Sequence, residues 1–219
     1  MSRPPVLLLH GLARTRVSMA GMARFLEGQG YRTFAHTYPS RRHGVAELAE
    51  QVAEVALREL GPGPIDAVTH SLGGVLARQM AGMLPLRRVV MLAPPNAGSD
   101  LARTLEGFGP FSWLYGPAGR DVARAEGWPD AIRCEVGVIA GTRAPSLGNP
   151  VSWLSRGIGV FGADRPSDGT VAVDETHLPG MTDFATVHAS HTWIMNHPEA
   201  RQMVQRFLEH GRFAEVGPR

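Results

Sequence analysis

The sequence predicts an α/β fold in which a mostly parallel β-sheet is flanked by helices on both faces. Two observations lead to this prediction. Short apolar segments alternate along the chain with longer amphipathic ones, which is the pattern of β-α-β units. One of the short segments, "PVLLLHG" at residues 5–11, is almost uninterruptedly apolar and ends in glycine, as expected for a buried strand.

Six short segments are predicted as strands and four longer ones as helices. The strands are residues 5–11, 31–39, 65–70, 87–94, 134–141 and 183–189. The helices are residues 18–30, 44–60, 72–84 and 198–211. The second helix has the clearest pattern, because its apolar residues recur at helical spacing and "GPGP" follows its end.

Two stretches interrupt this alternation. Residues 97–131 are rich in leucine and aromatic residues, but glycines and Pro110 break the helical pattern over 101–115. Residues 142–182 have the composition of loops. Long loops in a compact domain are usually functional, so 97–131 is predicted as a candidate lid or flap within a single domain, residues 1–219.

The composition excludes several classes of function. All 22 basic residues among the 219 are arginine, which excludes a Walker-A lysine, a Schiff-base lysine and a Ser-Lys dyad. The formal net charge is +2 and the arginines are scattered, which argues against nucleic-acid binding. The sequence has neither an HExxH motif nor a pair of cysteines, so no metal or cofactor is predicted.

The hydropathy of the chain predicts a cytoplasmic protein without stable membrane insertion. The apolar run near the N-terminus has only four residues, too few for a signal-peptide core. No run approaches the roughly 18 apolar residues of a transmembrane helix. The single cysteine, Cys134, cannot form an internal disulfide, which is compatible with a reducing compartment.

The segment "VTHSLGGVLARQ", residues 68–79, places Ser71 between a predicted strand and a predicted helix. A tight turn at this point lifts a serine hydroxyl clear of the sheet, and the helix N-terminus directs backbone N–H groups toward a developing oxyanion. Gly73 provides the small residue that such a turn needs, although Thr69 stands where the motif Gly-x-Ser-x-Gly has its first glycine. Two interpretations remain open: Ser71 is a nucleophile, or it is the N-cap of a buried helix.

The segment "LLLHGL", residues 7–12, is a second candidate site element. Its strand ends in His10 and Gly11, and glycine lets the chain turn sharply, so that the N–H of Leu12 can point inward as an oxyanion donor. His10 itself is interpreted as a structural hydrogen-bonding residue and not as a base.

The C-terminal third offers several carboxylates that could orient a catalytic base. Asp168 lies in "PSDGTVAV", and an Asp-Gly turn can present its carboxylate to a neighbouring loop. Asp164 and Asp174 lie in the same irregular stretch and compete with it. Asp168 is the preferred candidate.

Three histidines of "VHASHTWIMNHP" are candidates for the base. The base must lie in a loop at the carboxyl edge of the sheet, next to Ser71. His191 follows the last predicted strand, whereas His188 is expected inside that strand, and His197 precedes a proline at a helix start. His191 is therefore the preferred base.

The segments "LLLHGL", "THSLGG", "SDGTV" and "SHTW", in this order, resemble the α/β-hydrolase superfamily, in particular compact bacterial lipases and esterases. The resemblance covers roughly residues 5–211. In that group alanine or threonine commonly replaces the first glycine of the elbow, as Thr69 does here. The antiparallel strands at the N-terminus of larger members have no counterpart, so a sheet of about six strands is expected.

The resemblance implies roles for individual residues. Ser71 corresponds to the nucleophile, Asp168 to the acid and His191 to the base. The backbone N–H groups of Leu12 and Leu72 correspond to the oxyanion hole. The supporting residues are His10, Gly11, His70 and Gly73.

The function implied is hydrolysis of a carboxylic ester through an acyl-enzyme, without a cofactor. A thioesterase or acyltransferase with the same triad is the alternative, and an inactive hydrolase-fold binding protein is a further one. The expected partner is a small-molecule or lipid ester, while acyl length, alcohol group and oligomeric state are left open. Apolar and aromatic residues of the two long stretches either line an acyl pocket or flap, or pack these stretches onto the domain: Phe108, Phe111, Trp113, Leu114, Tyr115, Trp153, Leu154 and Phe161.

Overall fold

The structure, a computed structural model, describes most of the chain. The described residues are 3–106, 109–125, 128–129, 132–144, 155, 157, 159–162 and 164–214, without the side chains of residues 109–114.

The described residues form one sheet of six parallel strands in the order β2-β1-β3-β4-β5-β6. The strands are β1 (Val6–Leu9), β2 (Thr33–Ala35), β3 (Ile65–His70), β4 (Leu86–Leu92), β5 (Glu135–Gly141) and β6 (Asp183–Val187). The predicted fold class and number of strands are confirmed. The second strand is shorter than the predicted 31–39, because only Thr33, Phe34 and Ala35 pair with β1.

Six helices are described beside the sheet. They are α1 (Ala20–Gly28), α2 (Val45–Leu60), α3 (Leu72–Met80), α4 (Asp100–Leu105), α5 (Gly109–Arg124) and α6 (Pro198–His210). None of the helices in the described ranges is both long enough and apolar enough to cross a membrane.

Alternate residues of each strand face opposite sides of the sheet, and both sides are covered. In β1, Leu7 and Leu9 pack into a core layer shared with α2 and α3, whereas Val6 and Leu8 pack into a second layer shared with α1 and α6. All four side chains are fully buried. Burial on both faces explains why this strand is apolar without alternation.

The order of the strands creates a crevice at the carboxyl ends of β1 and β3. The chain passes from β1 to β2 on one side and then returns to β3 on the other side of β1. The loops that follow β1 and β3 therefore diverge, and ligands of open α/β sheets bind at such a switch point. The segments that contain Gly11 and Ser71 lie here.

The stretch 97–131 contains two helices that the sequence pattern did not predict. The hydroxyl of Ser99 accepts a hydrogen bond from an N–H of α4, as an N-cap does. Helix α5 is kinked at Gly116, whose φ of 62° is in the region that favours glycine. Asp121 of α5 accepts a hydrogen bond from the N–H of Val45, 2.8 Å away, and so joins α5 to the start of α2. The role of this stretch as a lid stays a prediction.

Candidate active site

Ser71 lies in a strained turn between β3 and α3. Its φ of 53° and ψ of −121° are unfavourable for a residue with a side chain, with a typical cost of about 1–3 kcal/mol. Ser71 occupies the N-cap position of α3, yet its hydroxyl makes no capping hydrogen bond. The hydroxyl instead lies 3.0 Å from Nε2 of His191.

Two glycines allow α3 to approach the sheet closely at this turn. A Cβ atom on Gly73 would lie 2.8 Å from both the Cβ and the carbonyl oxygen of Leu9. A Cβ atom on Gly74 would lie 2.8 Å from the Cβ of Pro94. The side chain of Thr69 is fully buried beside them, and its hydroxyl lies 3.4 Å from a carbonyl of β4. Thr69 therefore fits in place of the first glycine of the motif.

The structure brings the three residues predicted as nucleophile, base and acid into one line of hydrogen bonds. Nδ1 of His191 lies 2.7 Å from Oδ2 of Asp168, and Nε2 faces the hydroxyl of Ser71. The carboxylate accepts a hydrogen bond from Nδ1–H, so Nε2 is left as the acceptor for the serine hydroxyl. Asp168 is 1% exposed and His191 is 8% exposed, so both lie largely out of solvent.

Asp168 is held in a tight hairpin. Its Oδ1 accepts hydrogen bonds from the N–H groups of Thr170 at 2.9 Å and Val171 at 2.8 Å. Its backbone carbonyl accepts a hydrogen bond from the N–H of His191, 3.2 Å away. Each carboxylate oxygen therefore has its own donors, and the acid and the base are joined through both side chains and backbone.

Gly141, at the end of β5, makes the space that Asp168 occupies. A Cβ atom on Gly141 would lie 2.8 Å from the Cβ of Asp168 and 2.6 Å from the carbonyl oxygen of Ala189. This residue was not predicted from the sequence, where its only signal is a glycine at the end of a predicted strand.

The competing carboxylates and histidines lie elsewhere. Asp164 is exposed, and the carboxylate of Asp174 accepts hydrogen bonds from Arg165. His188 was expected inside the last strand, but β6 ends at Val187 and His188 is exposed just after it. This prediction was wrong because the backbone leaves the ladder two residues earlier than the apolar pattern suggests. His197 occupies the N-cap position of α6.

Glu175 stabilises the hairpin that contains Asp168, and this residue was not identified from the sequence. Its carboxylate is buried and accepts hydrogen bonds from the N–H of Ala172 at 2.8 Å and from the N–H of Asp100 at 2.5 Å. Burial raises the pKa of this carboxyl group above its ordinary value. Glu175 therefore ties the hairpin of Asp168 to the first turn of α4. A glutamate in a predicted loop has no periodicity that would reveal such a role.

His70, the residue before Ser71, supports the loop that contains His191. Its Nε2–H donates to the backbone carbonyl of His191, 2.9 Å away, and the two rings lie 4.8 Å apart. His70 is buried, and this burial lowers its pKa well below the ordinary value of 6.5. A neutral imidazole thus joins the serine turn to the base.

His10 stabilises the loop that follows β1. Its Nε2 accepts from the N–H of Tyr38 at 3.3 Å, and its Nδ1–H donates to the carbonyl of Gly11 at 2.8 Å. The rings of His10 and Tyr38 are stacked with centroids 3.8 Å apart. Burial lowers the pKa of His10 to about 4. These contacts agree with a structural role and leave no ring nitrogen available as a base.

The two predicted oxyanion donors line the same cavity as Ser71 and His191. Leu12 and Leu72 both border this cavity, and within the described residues neither backbone N–H donates to a protein acceptor. Gly11 brings the loops together, because a Cβ atom there would lie 2.8 Å from Nδ1 of His70. The site thus has two available N–H groups, one from the loop after β1 and one from the first residue of α3.

The cavity beside Ser71 is mostly apolar. Its apolar walls are formed by Leu12, Leu72, Pro95, Leu101, Ala102, Val122 and Val171. Of the apolar and aromatic residues predicted to line a pocket or pack the long stretches, Tyr115 lines this cavity, whereas Phe161 packs against Leu101 and Leu105. The others lie outside the described side chains: Phe108, Phe111, Trp113, Leu114, Trp153 and Leu154. No cluster of three metal-binding side chains occurs within the ranges that the structure describes.

Comparison with known proteins identifies relatives of this fold. Residues 4–127, which include Ser71, match the family with the alpha/beta hydrolase fold. Among curated proteins, none matches the chain in sequence. The mature form of the lipase BlEst2 from Bacillus licheniformis has a similar structure, with a TM-score of 0.73 and 19% identity over 96% of this chain and 93% of that one.

Two further solved structures are similar. The metagenomic carboxyl esterase MGS0156 gives a TM-score of 0.63 and 21% identity over 89% of this chain and 66% of that one. An esterase from Thermogutta terrifontis gives a TM-score of 0.60 and 15% identity over 95% of this chain and 90% of that one. At these identities the similarity demonstrates the fold alone.

Proposed function

The chain belongs to the alpha/beta-hydrolase family, whose fold serves many reactions, and we propose that it hydrolyses carboxylic esters through an acyl-enzyme formed on Ser71. The observation that carries the proposal is the line of hydrogen bonds from Ser71 through His191 to Asp168, with Ser71 at a positive φ. Nucleophile, base and orienting carboxylate in this order are the parts that acyl transfer needs.

In the proposed first step, the hydroxyl of Ser71 attacks the ester carbonyl while Nε2 of His191 takes its proton. The carbonyl oxygen becomes an oxyanion, which in this proposal is stabilised by the N–H groups of Leu12 and Leu72, two residues that line the cavity. The C–O bond to the alcohol then breaks, the alcohol leaves with the proton from His191, and the acyl group remains on Ser71.

In the second step, His191 takes a proton from water, and the resulting hydroxide attacks the acyl carbon. The bond to Ser71 breaks, its oxygen recovers the proton, and the carboxylic acid is released. Asp168 keeps Nδ1–H of His191 hydrogen-bonded and stabilises the imidazolium in both steps. Its two backbone donors orient the carboxylate toward the ring.

The names of the similar structures favour oxygen esters over the alternative substrates, since they are described as a lipase, a carboxyl esterase and an esterase. A thioesterase or acyltransferase would use the same residues. An acyl-thioester and an oxygen ester with the same acyl group, compared by kcat/KM, distinguish these alternatives.

The test of the proposal is Ser71→Ala with a panel of p-nitrophenyl esters from acetate to palmitate. We expect kcat to fall by about 10⁴–10⁶ because the nucleophile is lost. A fluorophosphonate should label Ser71 in the native enzyme with one equivalent, and labelling should depend on His191.

Ser99→Ala is a matched control, because Ser99 borders the same cavity but its hydroxyl caps α4. We expect this variant to lose about 1 kcal/mol of stability and less than about tenfold in kcat. The proposal is contradicted if Ser71→Ala hydrolyses the esters at the native rate and circular dichroism shows an intact fold. An absence of labelling and of turnover in the native chain would favour the inactive binding protein.

A further inference from the structure

The cavity beside Ser71 has one lining side chain with a permanent charge that the proposed reaction does not use. Arg14 lies in the loop after β1, three residues beyond Gly11, and borders the cavity together with Ser71 and His191. The rest of the described lining is apolar or contains neutral polar groups, apart from the histidines.

The guanidinium of Arg14 has few hydrogen-bond acceptors among the described residues. One N–H of Nη1 donates to the carbonyl of Thr192, 3.3 Å away, and the described residues provide no other acceptor and no carboxylate within ion-pair distance. The phenol of Tyr115 is a group whose negative charge would raise the pKa of Arg14, but burial raises the pKa of Tyr115 itself, so this phenol is neutral near pH 7. Burial also lowers the pKa of Arg14 itself.

Two other arginines of this chain, one partly buried and one buried, show which hydrogen-bond acceptors such a side chain ordinarily has. Arg87 donates two hydrogen bonds to the carboxylate of Asp66. Arg78, which is 4% exposed, donates three hydrogen bonds to the carbonyls of Asn96 and Pro129. Arg14 has neither a carboxylate nor a set of carbonyls, and it is one of the residues that border the cavity.

Building on the proposed ester hydrolysis, we propose that Arg14 binds a negatively charged group of the substrate, a carboxylate or a phosphate, while the apolar walls hold its hydrocarbon part. The fork of N–H donors on a guanidinium matches two oxygens of either group. A partly desolvated cation with one protein acceptor gains most from such an anion. The reaction is unchanged, since the anionic group is bound and takes no part in bond formation or cleavage.

A different role for Arg14 would be purely structural. Its hydrogen bond to the carbonyl of Thr192 lies one residue from His191, so Arg14 could act only by fixing the loop of the base. A structural role would slow the hydrolysis of every ester to the same extent. A binding role affects charged substrates more than neutral ones of the same size.

The experiment compares p-nitrophenyl hydrogen glutarate, whose acyl chain ends in a carboxylate, with p-nitrophenyl pentanoate, which is neutral and of similar length. The native enzyme, Arg14→Gln and Arg14→Lys are assayed with both esters. We expect the native kcat/KM to be higher for the charged ester. In Arg14→Gln the charged ester should lose about 10- to 100-fold more than the neutral one. Arg14→Lys should recover part of the difference, because it keeps the charge but loses the fork.

A second pair of substrates distinguishes a phosphate on the alcohol side from a carboxylate on the acyl side. A short-chain lysophosphatidic acid is compared with the monoacylglycerol that has the same acyl chain. Charge selectivity that depends on Arg14 in either pair supports the inference and identifies the anion. Equal losses for charged and neutral esters in both pairs overturn it.

The two proposals fail in different ways. Hydrolysis of neutral esters and labelling of Ser71, without charge selectivity, leave the ester hydrolase intact and overturn only the role of Arg14. No turnover and no labelling overturn both. If Arg14→Gln does not fold, the native enzyme still gives the answer. Added salt should lower kcat/KM for the charged ester and leave the neutral ester almost unchanged, and the absence of this difference contradicts the inference.

Discussion

The serine side and the acid–base side of the site are built in different ways. Ser71 is positioned by regular elements that touch through glycines, as at Gly73, where a side chain would collide with β1. Asp168 and His191 lie in irregular loops and are positioned by hydrogen bonds, several of them to buried backbone N–H groups. Steric contact dominates in the first half, whereas the second half combines polar contacts with the space that Gly141 leaves for Asp168.

This difference predicts which property, stability or turnover, a mutation in each half should impair. A side chain added at a glycine on the serine side should push α3 away from the sheet and lower the free energy of unfolding. Replacement of a polar group on the acid–base side should leave the packing intact and change the orientation of the His191 imidazole. Changes in the two halves should therefore separate stability from turnover.

Of the three changes that test this difference, Asp168→Asn on the acid–base side has the largest expected effect. The asparagine can no longer accept the Nδ1–H of His191 with a charged oxygen, and the imidazole is then held in the wrong tautomer. We expect kcat for a p-nitrophenyl ester to fall by about 10⁴ with little change in the unfolding midpoint.

Asp174→Asn is the matched control, because it makes the same chemical change in a neighbouring carboxylate that accepts from Arg165. Its kcat should remain within about tenfold of the native value, as expected for an exposed ion pair. Equal losses in the two variants would contradict the assignment of Asp168.

The second effect is a loss of stability in acid caused by His10 on the serine side. In the folded chain the pKa of His10 is about 4, whereas its ordinary value in the unfolded chain is 6.5. Between these values the unfolded chain binds more protons, so acid favours unfolding. The contribution of His10 is complete above pH 6.5 and is lost as the pH falls to about 4, by about 3 kcal/mol at most.

Urea unfolding at several pH values, with His10→Gln beside the native chain, measures this contribution. The variant should be less stable at pH 7 and should lose less stability on acidification, because glutamine does not titrate. Parallel curves for the two proteins would show that His10 is not the group responsible.

A third, smaller effect should follow from Gly73→Ala. Its Cβ would lie 2.8 Å from the carbonyl of Leu9, so α3 must shift away from β1. We expect a loss of about 1–3 kcal/mol in the free energy of unfolding, measured in urea. Gly28→Ala, at the end of α1 with open space around the new methyl group, should be neutral or slightly stabilising. A neutral Gly73→Ala would show that the turn is less tightly packed than its distances indicate.

The same difference between the halves explains what the sequence could predict. The serine turn is a local pattern, because Ser71, Gly73 and the flanking strand and helix are adjacent in the chain. β3 was predicted with the bounds that the structure has, Ile65–His70. The choice of Asp168 over its neighbours depends on Gly141 and on contacts between loops far apart in sequence, which no local pattern contains.

Helices α4 and α5 were missed for a different reason. Glycines and Pro110 interrupt the helical pattern over 101–115, but in the structure Gly109 and Gly116 mark where α5 starts and bends. At Gly116 the φ of 62° produces the kink, and Pro117 follows as the first residue of the next helical turn. Arg14 was not singled out because its significance depends on a cavity whose walls come from several parts of the chain.

Glu175 has a consequence for how this scaffold can change over evolutionary time. One carboxylate accepts hydrogen bonds from Ala172 in the acid hairpin and from Asp100 at the start of α4. α4 also contributes Leu101 and Ala102 to the cavity wall. We therefore expect the cavity wall formed by α4 and the hairpin that contains Asp168 to change together. If either segment is replaced by an unrelated sequence, the other must be replaced with it. Otherwise the buried carboxylate of Glu175 loses one of its hydrogen-bond donors.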